Sequence, residues 1–346
     1  MKWGVIGTGR IANAFADAIA LVPGASVVAV ASRSTERADS FARRIGACHK
    51  FSSAAALAPH SDVDAVFVAT PHHRHEPDAL ATIAAGKPVL CEKPLAPDSA
   101  GARRIVTAAR ARGVFCMEGL WSLCQPVYRE AFERIGSGEI GEIRELAGSF
   151  AIPNAFDPTN RLWDPGQCGG ALLDRGVYLV ALALALMDDL TPVYAASVRA
   201  ATGVDSSTVF ILHGSRGRRA VFTVSLESCG SNDFCVQGTA GRCVFLEPVT
   251  CPNAYWLTRQ KAATTANATG GLGMGLGSLL KKLPITNRIN LGLMRGARWH
   301  RGGLHHEIAE VEQCLAEGLL ESRLVPLNRS IQALEILDKI AALAAG

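Results

Sequence analysis

Short apolar runs alternate with helix-like stretches over roughly the first 120 residues of the chain. The apolar runs predict strands at residues 3–6, 27–31, 65–69, 89–91 and 114–117. Helical periodicity lies between them, at residues 11–21, 35–45, 76–85 and 99–112. Strands that are apolar on both faces are typical of a parallel sheet covered by helices on both sides. The pattern therefore predicts a doubly wound α/β domain.

The pattern changes near residue 122. A helix at residues 126–135 and an extended run at 143–152 precede an apolar helix that opens at Gly169-Gly170 and continues through Met187. Strand-like runs then follow without intervening helices, at residues 195–201, 208–213, 220–226, 234–236 and 243–246, and helices at 304–314 and 330–343 close the chain. This order predicts an α+β domain with a large open, mostly antiparallel sheet over residues 123–346, after a nucleotide-binding domain over 1–122.

Composition narrows the classes of function. The chain has 346 residues, of which 49% are hydrophobic and 19% charged, enough apolar material for two cores. The net charge of +4 comes without a dense basic run, which argues against nucleic acid as the main partner. None of the ten cysteines pairs in C-x-x-C spacing, so we expect structural thiols and no metal site.

The sequence carries no pattern that indicates a membrane or secretion. A strand-like run begins at Lys2, so we expect no signal peptide. The apolar helix that ends at Met187 is far shorter than the ~20 residues that cross a bilayer. We expect a cytoplasmic protein.

A glycine loop connects the first predicted strand to the first predicted helix. In Gly7-Thr8-Gly9-Arg10-Ile11-Ala12, the first glycine permits a tight turn and the second lets a pyrophosphate approach the backbone. Ala12 takes the place of the third glycine, where a small residue keeps the helix close to the sheet. Free amides at the helix N-terminus favour phosphate. The candidate contacts to a dinucleotide in this loop are Gly7, Thr8, Gly9, Arg10 and Ile11.

The end of the second strand bears on the choice between NAD and NADP. A carboxylate there would bind the ribose 2′-hydroxyl and repel a 2′-phosphate, but the strand ends in Ser32-Arg33-Ser34, with Arg37 one turn further on. Ser32 can donate to a phosphate, and the arginine fork suits it. The sequence favours NADP(H). NAD stays possible, since Arg33 and Arg37 could be ordinary surface residues.

Two motifs follow later strands. They are the stretch Thr70-Pro71-His72-His73-Arg74-His75 and the stretch Glu92-Lys93-Pro94-Leu95. With the glycine loop, they resemble the Gfo/Idh/MocA oxidoreductase family, in particular its glucose–fructose oxidoreductase and dimeric dihydrodiol (D-xylose) dehydrogenase branches. The likeness extends to Met117-Glu118-Gly119-Leu120-Trp121 and to the ten residues 169–178.

The resemblance implies roles at matching positions. Lys93 matches the catalytic lysine, and Asp174 and Tyr178 match the pair that binds the reacting hydroxyl. Trp121, Phe150 and Trp163 match positions lining or adjoining the substrate pocket. Cofactor contacts are implied for Thr70, Pro71, His72, His75, Glu92, Lys93 and Glu118.

Elementary chemistry is consistent with these roles. Asp174 and Tyr178 are four residues apart at a helix start, so both can project from one face. Oxidation of an alcohol needs a base within hydrogen-bond reach of its oxygen, and Lys93 or Tyr178 could serve; the sequence does not rank them. Alternatively, Lys93 only binds the cofactor, Asp174 caps the helix and Tyr178 is a half-buried core residue.

The function predicted is an NADP(H)-dependent oxidoreductase acting on a secondary alcohol or carbonyl of a sugar, polyol or trans-dihydrodiol. The alternatives are a dehydrogenase of a nucleotide sugar or inositol, and a non-catalytic NADP(H) sensor. We expect a homodimer or larger homo-oligomer formed through the C-terminal sheet. A basic, glycine-rich stretch at residues 262–306 lacks Asp and Glu; it could be a flap over an anionic ligand, a subunit contact or a solvated insertion.

Overall fold

The computed structural model describes residues 1–259, 293–296 and 303–345. Most of the basic stretch predicted at 262–306 lies outside the described residues, so its role stays a prediction. Among the helices that are described, none has the length and apolar character needed to cross a bilayer.

The N-terminal sheet has six parallel strands in the order β3-β2-β1-β4-β5-β6. The strands are β1 (Lys2–Ile6), β2 (Ser26–Ala31), β3 (His49–Phe51), β4 (Ala65–Val68), β5 (Val89–Glu92) and β6 (Cys116–Gly119). The helices between them are α1 (Arg10–Ile19), α2 (Thr35–Ile45), α3 (Ala54–Leu57), α4 (His72–Ala84) and α5 (Ser99–Arg112). This order confirms the predicted doubly wound fold, and it leaves a crevice where the direction of winding reverses, at the carboxyl ends of β1 and β4.

Burial explains why these segments form these elements. All residues of β4 and β5 are buried, as expected for strands covered on both faces. Helix α2 begins where the Ser34 side chain accepts a hydrogen bond from the amide of Arg37, and it ends at Gly46 in the left-handed region. The helix is therefore fixed at both ends by local chemistry, directly after the strand end that carries Ser32 and Arg33.

The second sheet has eight strands in the order β14-β13-β12-β11-β7-β10-β9-β8. The strands are β7 (Ile143–Ala151), β8 (Thr191–Arg199), β9 (Asp205–His213), β10 (Arg219–Ser225), β11 (Phe234–Gly238), β12 (Gly241–Phe245), β13 (Ala254–Arg259) and β14 (Leu293–Gly296). Among the strands that the structure describes, only the pair β7–β10 is parallel, which confirms the mostly antiparallel sheet. Helix α6 (Pro126–Gly136) leads into this sheet, and α7 (Val177–Leu184), whose residues are all buried, packs on it.

The last two helices, α8 (His305–Ala316) and α9 (Leu327–Leu343), pack back on the N-terminal domain. Helix α8 contacts α1, and the indole Nε1 of Trp3 donates to Glu312 at 3.1 Å. Helix α9 contacts α5 on one side and α7 on the other. The division of the chain at residue 122 stays a prediction, because the closing helices contact both halves of the molecule.

The structure corrects several predicted boundaries. Helix α4 begins at His72, four residues before the predicted start, so His72 and His75 lie on its first turns and not on a loop. Strand β6 lies two residues later than predicted, and β3, α3, β13 and β14 were not predicted. The apolar helix opens with a π-helical turn, Leu172–Gly176, before α7. Short elements such as β3 and α3 carry too few residues for periodicity to reveal them.

Candidate active site

A cavity of about 530 Å³ lies between the two sheets, at the carboxyl ends of β1, β2, β4 and β5. Most of the predicted site residues line it. These are Gly7, Thr8, Gly9, Arg10, Ile11, Ser32, Arg33, Arg37, Thr70, Pro71, His72, Glu92, Lys93, Trp121, Phe150, Asp174 and Tyr178. The predicted residues His75, Glu118 and Trp163 do not line it.

One end of the cavity is the glycine loop. Gly7 has φ +111°, and a Cβ there would lie 2.5 Å from the Ala69 carbonyl oxygen, so only glycine fits this turn. A Cβ on Gly9 would meet nothing within 4 Å, which leaves its backbone open to a ligand. No side chain caps α1, so its first amides are free to bind an anion. These features fit the pyrophosphate of a dinucleotide.

The polar residues after β2 lie beside this loop. Ser32, Arg33 and Arg37 line the cavity, and both arginines are exposed. Neither arginine has a carboxylate ion-pair partner among the described residues. Two unpaired guanidinium groups next to a serine hydroxyl form a cationic pocket that could hold a 2′-phosphate.

The opposite end of the cavity brings Lys93, Asp174 and Tyr178 together. The Lys93 ammonium donates to the Asp174 backbone carbonyl at 2.6 Å and to Asp174 Oδ1 at 3.1 Å. It also lies 4.8 Å from the centroid of the Tyr178 ring. The indole Nε1 of Trp121 donates to Tyr178 Oη at 3.0 Å, and the Phe150 ring meets Tyr178 edge-on at 5.7 Å. Lys93, which directly follows β5, is thus fixed against the π-helical turn of the second domain.

Burial and neighbouring charge set the protonation of this cluster. Burial alone would raise the pKa of Asp174, but Lys93 and Arg161 outweigh it and hold this pKa well below its usual range. Burial raises the pKa of the Tyr178 phenol well above its ordinary value, and the nearby Glu92 carboxyl adds to the rise. Burial also raises the pKa of Glu92 to about 7, against the opposing charge of Lys93. At neutral pH the cluster combines an ionised aspartate with a neutral phenol.

The two predicted histidines have different surroundings. His72 lines the cavity, and its Nδ1 lies 3.0 Å from the Cys168 carbonyl oxygen. His75 lies behind the cavity wall, with Nδ1 2.6 Å from the Pro94 carbonyl and Nε2 2.8 Å from the Thr70 carbonyl. Burial lowers the pKa of His75 to about 4, and a neutral ring can donate to only one of these carbonyls at a time. His75 therefore connects the segment after β4 to the segment after Lys93.

Glu118 and Trp163 support the site from outside the cavity. Glu118 Oε1 accepts from the Leu95 amide at 2.9 Å and so anchors the segment that follows Lys93. The Trp163 indole Nε1 donates to the Ala155 carbonyl at 3.0 Å, and its ring packs edge-on against Phe156. Through these contacts, Glu118 stabilises the segment at Leu95 and Trp163 stabilises the segment at Ala155.

Sequence reasoning missed Arg161. It lines the cavity, and its two Nη atoms lie 3.2 and 3.1 Å from Asp174 Oδ1. The only signal in the sequence is its position two residues before Trp163, a predicted site residue. No local pattern shows that an arginine thirteen residues before an aspartate will meet it.

Comparisons with known proteins agree with this architecture. The family profile described as "Oxidoreductase family, NAD-binding Rossmann fold" matches residues 1–120, and the "GFO/IDH/MocA C-terminal domain" profile matches residues 128–244. The chain is 32% identical over 341 residues to a trans-1,2-dihydrobenzene-1,2-diol dehydrogenase of Oryctolagus cuniculus, covering 97% of this chain and 96% of the relative. A similar relative from Mus musculus is 31% identical over 343 residues, with 98% and 95% coverage.

Solved structures show the same fold. A 3-ketoreductase from Actinomadura kijaniata, solved with NADP and TDP-benzene, superposes with a TM-score of 0.80 at 27% identity, covering 99% of this chain and 97% of the other. An aldose-aldose oxidoreductase from Caulobacter crescentus superposes with a TM-score of 0.82 at 20% identity, covering 100% and 97%.

The fold, the glycine loop and these relatives define an NAD(P)-binding oxidoreductase, a dehydrogenase or reductase. The chain belongs to the Gfo/Idh/MocA family.

Proposed function

We propose that this protein is an NADP(H)-dependent dehydrogenase or reductase that interconverts a secondary alcohol and a carbonyl in a sugar, polyol or trans-dihydrodiol. One observation carries the proposal. A single cavity joins a phosphate-binding glycine loop to Lys93, Asp174 and Tyr178, which contact one another at its far end. A bound nicotinamide dinucleotide would supply the hydride acceptor or donor.

The preference for NADP rests on the pocket after β2. Ser32, Arg33 and Arg37 line it, and no acidic residue occupies the strand end. A carboxylate would repel a 2′-phosphate, whereas arginines attract it. The related 3-ketoreductase was solved with NADP, which agrees with this choice.

The chain's own residues supply the proton chemistry. Asp174 Oδ1 contacts Lys93 and Arg161, whereas Oδ2 has no hydrogen bond among the described residues and can accept one from a substrate hydroxyl. In reduction, Tyr178 donates its proton to the forming alkoxide, because its raised pKa keeps the phenol protonated and Trp121 already fills one acceptor position on its oxygen. The Lys93 ammonium, 4.8 Å from the centroid of the Tyr178 ring, stabilises the tyrosinate that this step leaves, and the phenol regains its proton from solvent. Oxidation follows the reverse course.

Aromatic side chains around this cluster would shape the substrate pocket. Trp121 and Phe150 line the cavity beside Tyr178 and offer flat apolar surfaces to a ring. A cyclic diol or a pyranose has such a flat apolar face with hydroxyls at its edge. The relatives named trans-1,2-dihydrobenzene-1,2-diol dehydrogenase agree with a cyclic diol.

A substrate panel tests the proposal. Purified protein is assayed with NADP+ and NAD+ against trans-dihydrodiols, free aldoses and polyols, and with NADPH against the matching carbonyls. We expect turnover with at least one cyclic diol or pyranose and a preference for NADP+. Tight NADPH binding without turnover of any member of the panel would instead support the sensor alternative.

A nucleotide-linked sugar is the second candidate substrate. The observation in its favour is the related 3-ketoreductase that was solved with TDP-benzene. Matched pairs of free and nucleotide-linked keto sugars in the same assay separate the candidates. At least tenfold higher kcat/KM for the nucleotide-linked member would favour this second candidate.

We further propose a homo-oligomer formed through the open face of the second sheet. Alternate residues of β9 are buried and half-buried, so one face of this sheet packs on helices and the other does not. On the edge strand β8, Val193, Tyr194 and Val198 are 46%, 50% and 57% exposed. Exposed apolar groups on a sheet indicate an association surface. Sedimentation that shows only a monomer at micromolar concentration would refute this assembly.

A further inference from the structure

The Arg161 guanidinium contacts two groups at the catalytic end of the cavity. Arg161 lies between β7 and the π-helical turn, and its side chain is 38% exposed. Both Nη atoms donate to Asp174 Oδ1, at 3.2 and 3.1 Å. Nη1 also lies 3.3 Å from His72 Nε2. One cation thus contacts both the aspartate and the histidine that line this end.

These contacts fix the tautomer of His72. A guanidinium only donates hydrogen bonds, so His72 Nε2, which faces it, must accept one. The ring proton then lies on Nδ1, which donates to the Cys168 carbonyl at 3.0 Å. Protonation of His72 would place an N–H on Nε2 directly against the guanidinium N–H. The structure accommodates His72 only as a neutral ring with its proton on Nδ1.

His72 would otherwise compete with Lys93. His72 Nε2 lies 3.6 Å from Asp174 Oδ1, the same oxygen that the Lys93 ammonium contacts at 3.1 Å. A charged His72 would form an ion pair with Asp174 and place a third cation beside Lys93. As long as His72 is neutral, Asp174 Oδ1 serves Lys93 and Arg161 alone.

We propose that Arg161 is a positioning residue that, together with the burial of the ring, holds His72 neutral with its proton on Nδ1 and thereby reserves Asp174 for Lys93. The inference deepens the proposed function, on which its kinetic consequence rests. Its structural consequence, the protonation of His72, does not depend on turnover.

All groups around His72 bear on its protonation. Burial lowers the pKa of His72 to about 3; Asp174 opposes the shift, whereas Lys93, His75 and Arg161 add to it. Replacing Arg161 removes one cation and the only donor that the described part of the chain offers to Nε2, while Asp174 stays in place. Without Arg161 we therefore expect a proton to bind His72 more readily.

Nitrogen NMR of the histidine rings tests the inference without cofactor or substrate. The chain has nine histidines, so the His72 signal is assigned by its loss in His72→Gln. In the wild type we expect a neutral ring with the proton on Nδ1 from pH 8 down to the lowest pH at which the protein stays folded. In Arg161→Met, we expect protonation of His72 to begin about one pH unit higher than in the wild type. Unchanged His72 signals in Arg161→Met, or an already charged His72 in the wild type, would overturn the inference.

Two further variants separate the effect of the positive charge from that of folding. Arg161→Lys keeps a cationic group that only donates, so we expect His72 to stay neutral as in the wild type. If Arg161→Lys behaves like Arg161→Met, the role assigned to the cation is wrong. Arg161→Gln replaces Arg161→Met in the comparison if the methionine variant does not fold. Arg323→Met, which removes an exposed arginine paired with Glu317, is the control for loss of an arginine as such.

Kinetics provide the second measurement. In Arg161→Met we expect the acidic limb of the kcat/KM profile to move up by about one pH unit, which corresponds to about a tenfold loss at pH values below both limbs. Arg161→Lys should restore the wild-type limb, and Arg323→Met should not move it. If the His72 signals change in Arg161→Met but the wild-type protein shows no turnover, the proposed function is refuted and this inference is not. If the wild-type protein shows turnover but the His72 signals are unchanged in Arg161→Met, this inference is refuted and the proposed function is not.

Discussion

The two ends of the cavity are built in different ways. The nucleotide end consists of backbone amides, a glycine turn and the exposed arginines Arg33 and Arg37, all within 31 residues of chain that follow β1. The catalytic end consists of charged side chains that are mostly buried, drawn from β5, α4, the loop after β7 and the π-helical turn. Solvent screens the first set, so its members act nearly independently. In the second set each charge depends on the others, and removing one leaves its partners buried without compensation.

The largest effect should come from Lys93→Met. Loss of the ammonium removes the cation that stabilises the tyrosinate and that pairs with Asp174, and we expect kcat/KM to fall about 10³-fold or more. NADPH affinity, measured by fluorescence titration, should change little. Lys339→Met, on an exposed face of α9, is the control. A fall of less than tenfold would show that Tyr178 acts without Lys93.

Asp174→Asn should destabilise the protein. The change leaves the buried Lys93 ammonium and the half-exposed Arg161 without their shared carboxylate, at a cost of about 3 kcal/mol in the free energy of unfolding. Urea unfolding measures this difference. Asp188→Asn is the control, because Asp188 is 86% exposed and its ion pair with Arg329 contributes at most about 1 kcal/mol. Equal effects at the two positions would contradict the distinction drawn between buried and exposed charges.

Glu92→Gln should change the pH dependence of stability. The pKa of Glu92 in the folded protein, about 7, lies above its ordinary value of 4.5, so its stabilising contribution is complete below pH 4.5. That contribution is lost as the pH rises to about 7. The wild type should therefore lose about 3 kcal/mol relative to Glu92→Gln between pH 4.5 and 7.5. Parallel urea titrations measure it, and a difference that is constant with pH would refute the raised pKa.

The smallest effects should come from the nucleotide end. Arg33→Ala and Arg37→Ala should each weaken NADPH binding about tenfold, the value of one charge-assisted hydrogen bond at an exposed site. NADH affinity should stay unchanged, and both variants should be as stable as the wild type. Because the two arginines act separately, their effects should add in the double variant. An equal loss of NADH affinity would show that they do not bind the 2′-phosphate.

Much of the nucleotide end could be read from the sequence. The glycine loop, the missing carboxylate after β2 and the two arginines are local features, and each follows a strand that the apolar pattern reveals. The lysine after β5 and the aspartate–tyrosine pair were found through a family resemblance. The structure brings them into contact, and their roles stay proposals.

Several features of the catalytic end could not be predicted from the sequence. Helix α4 begins at His72, although a polar stretch with an internal proline, Pro77, gives no helical pattern there. Arg161 lies in a loop without periodicity, and only folding brings it to Asp174 and His72. His75 and Glu118 were expected to touch cofactor, yet they hold backbone segments behind the cavity wall.

By itself, the sequence determined the two sheets, the glycine loop and the cationic strand end, because periodicity and turn chemistry act between residues that are close along the chain. The tertiary structure decided which charges meet. Lys93, Asp174, Arg161 and His72 come from four separate segments. The protonation of Asp174 and His72 depends on burial and on distances of 3 to 4 Å, which exist only once the two sheets pack together.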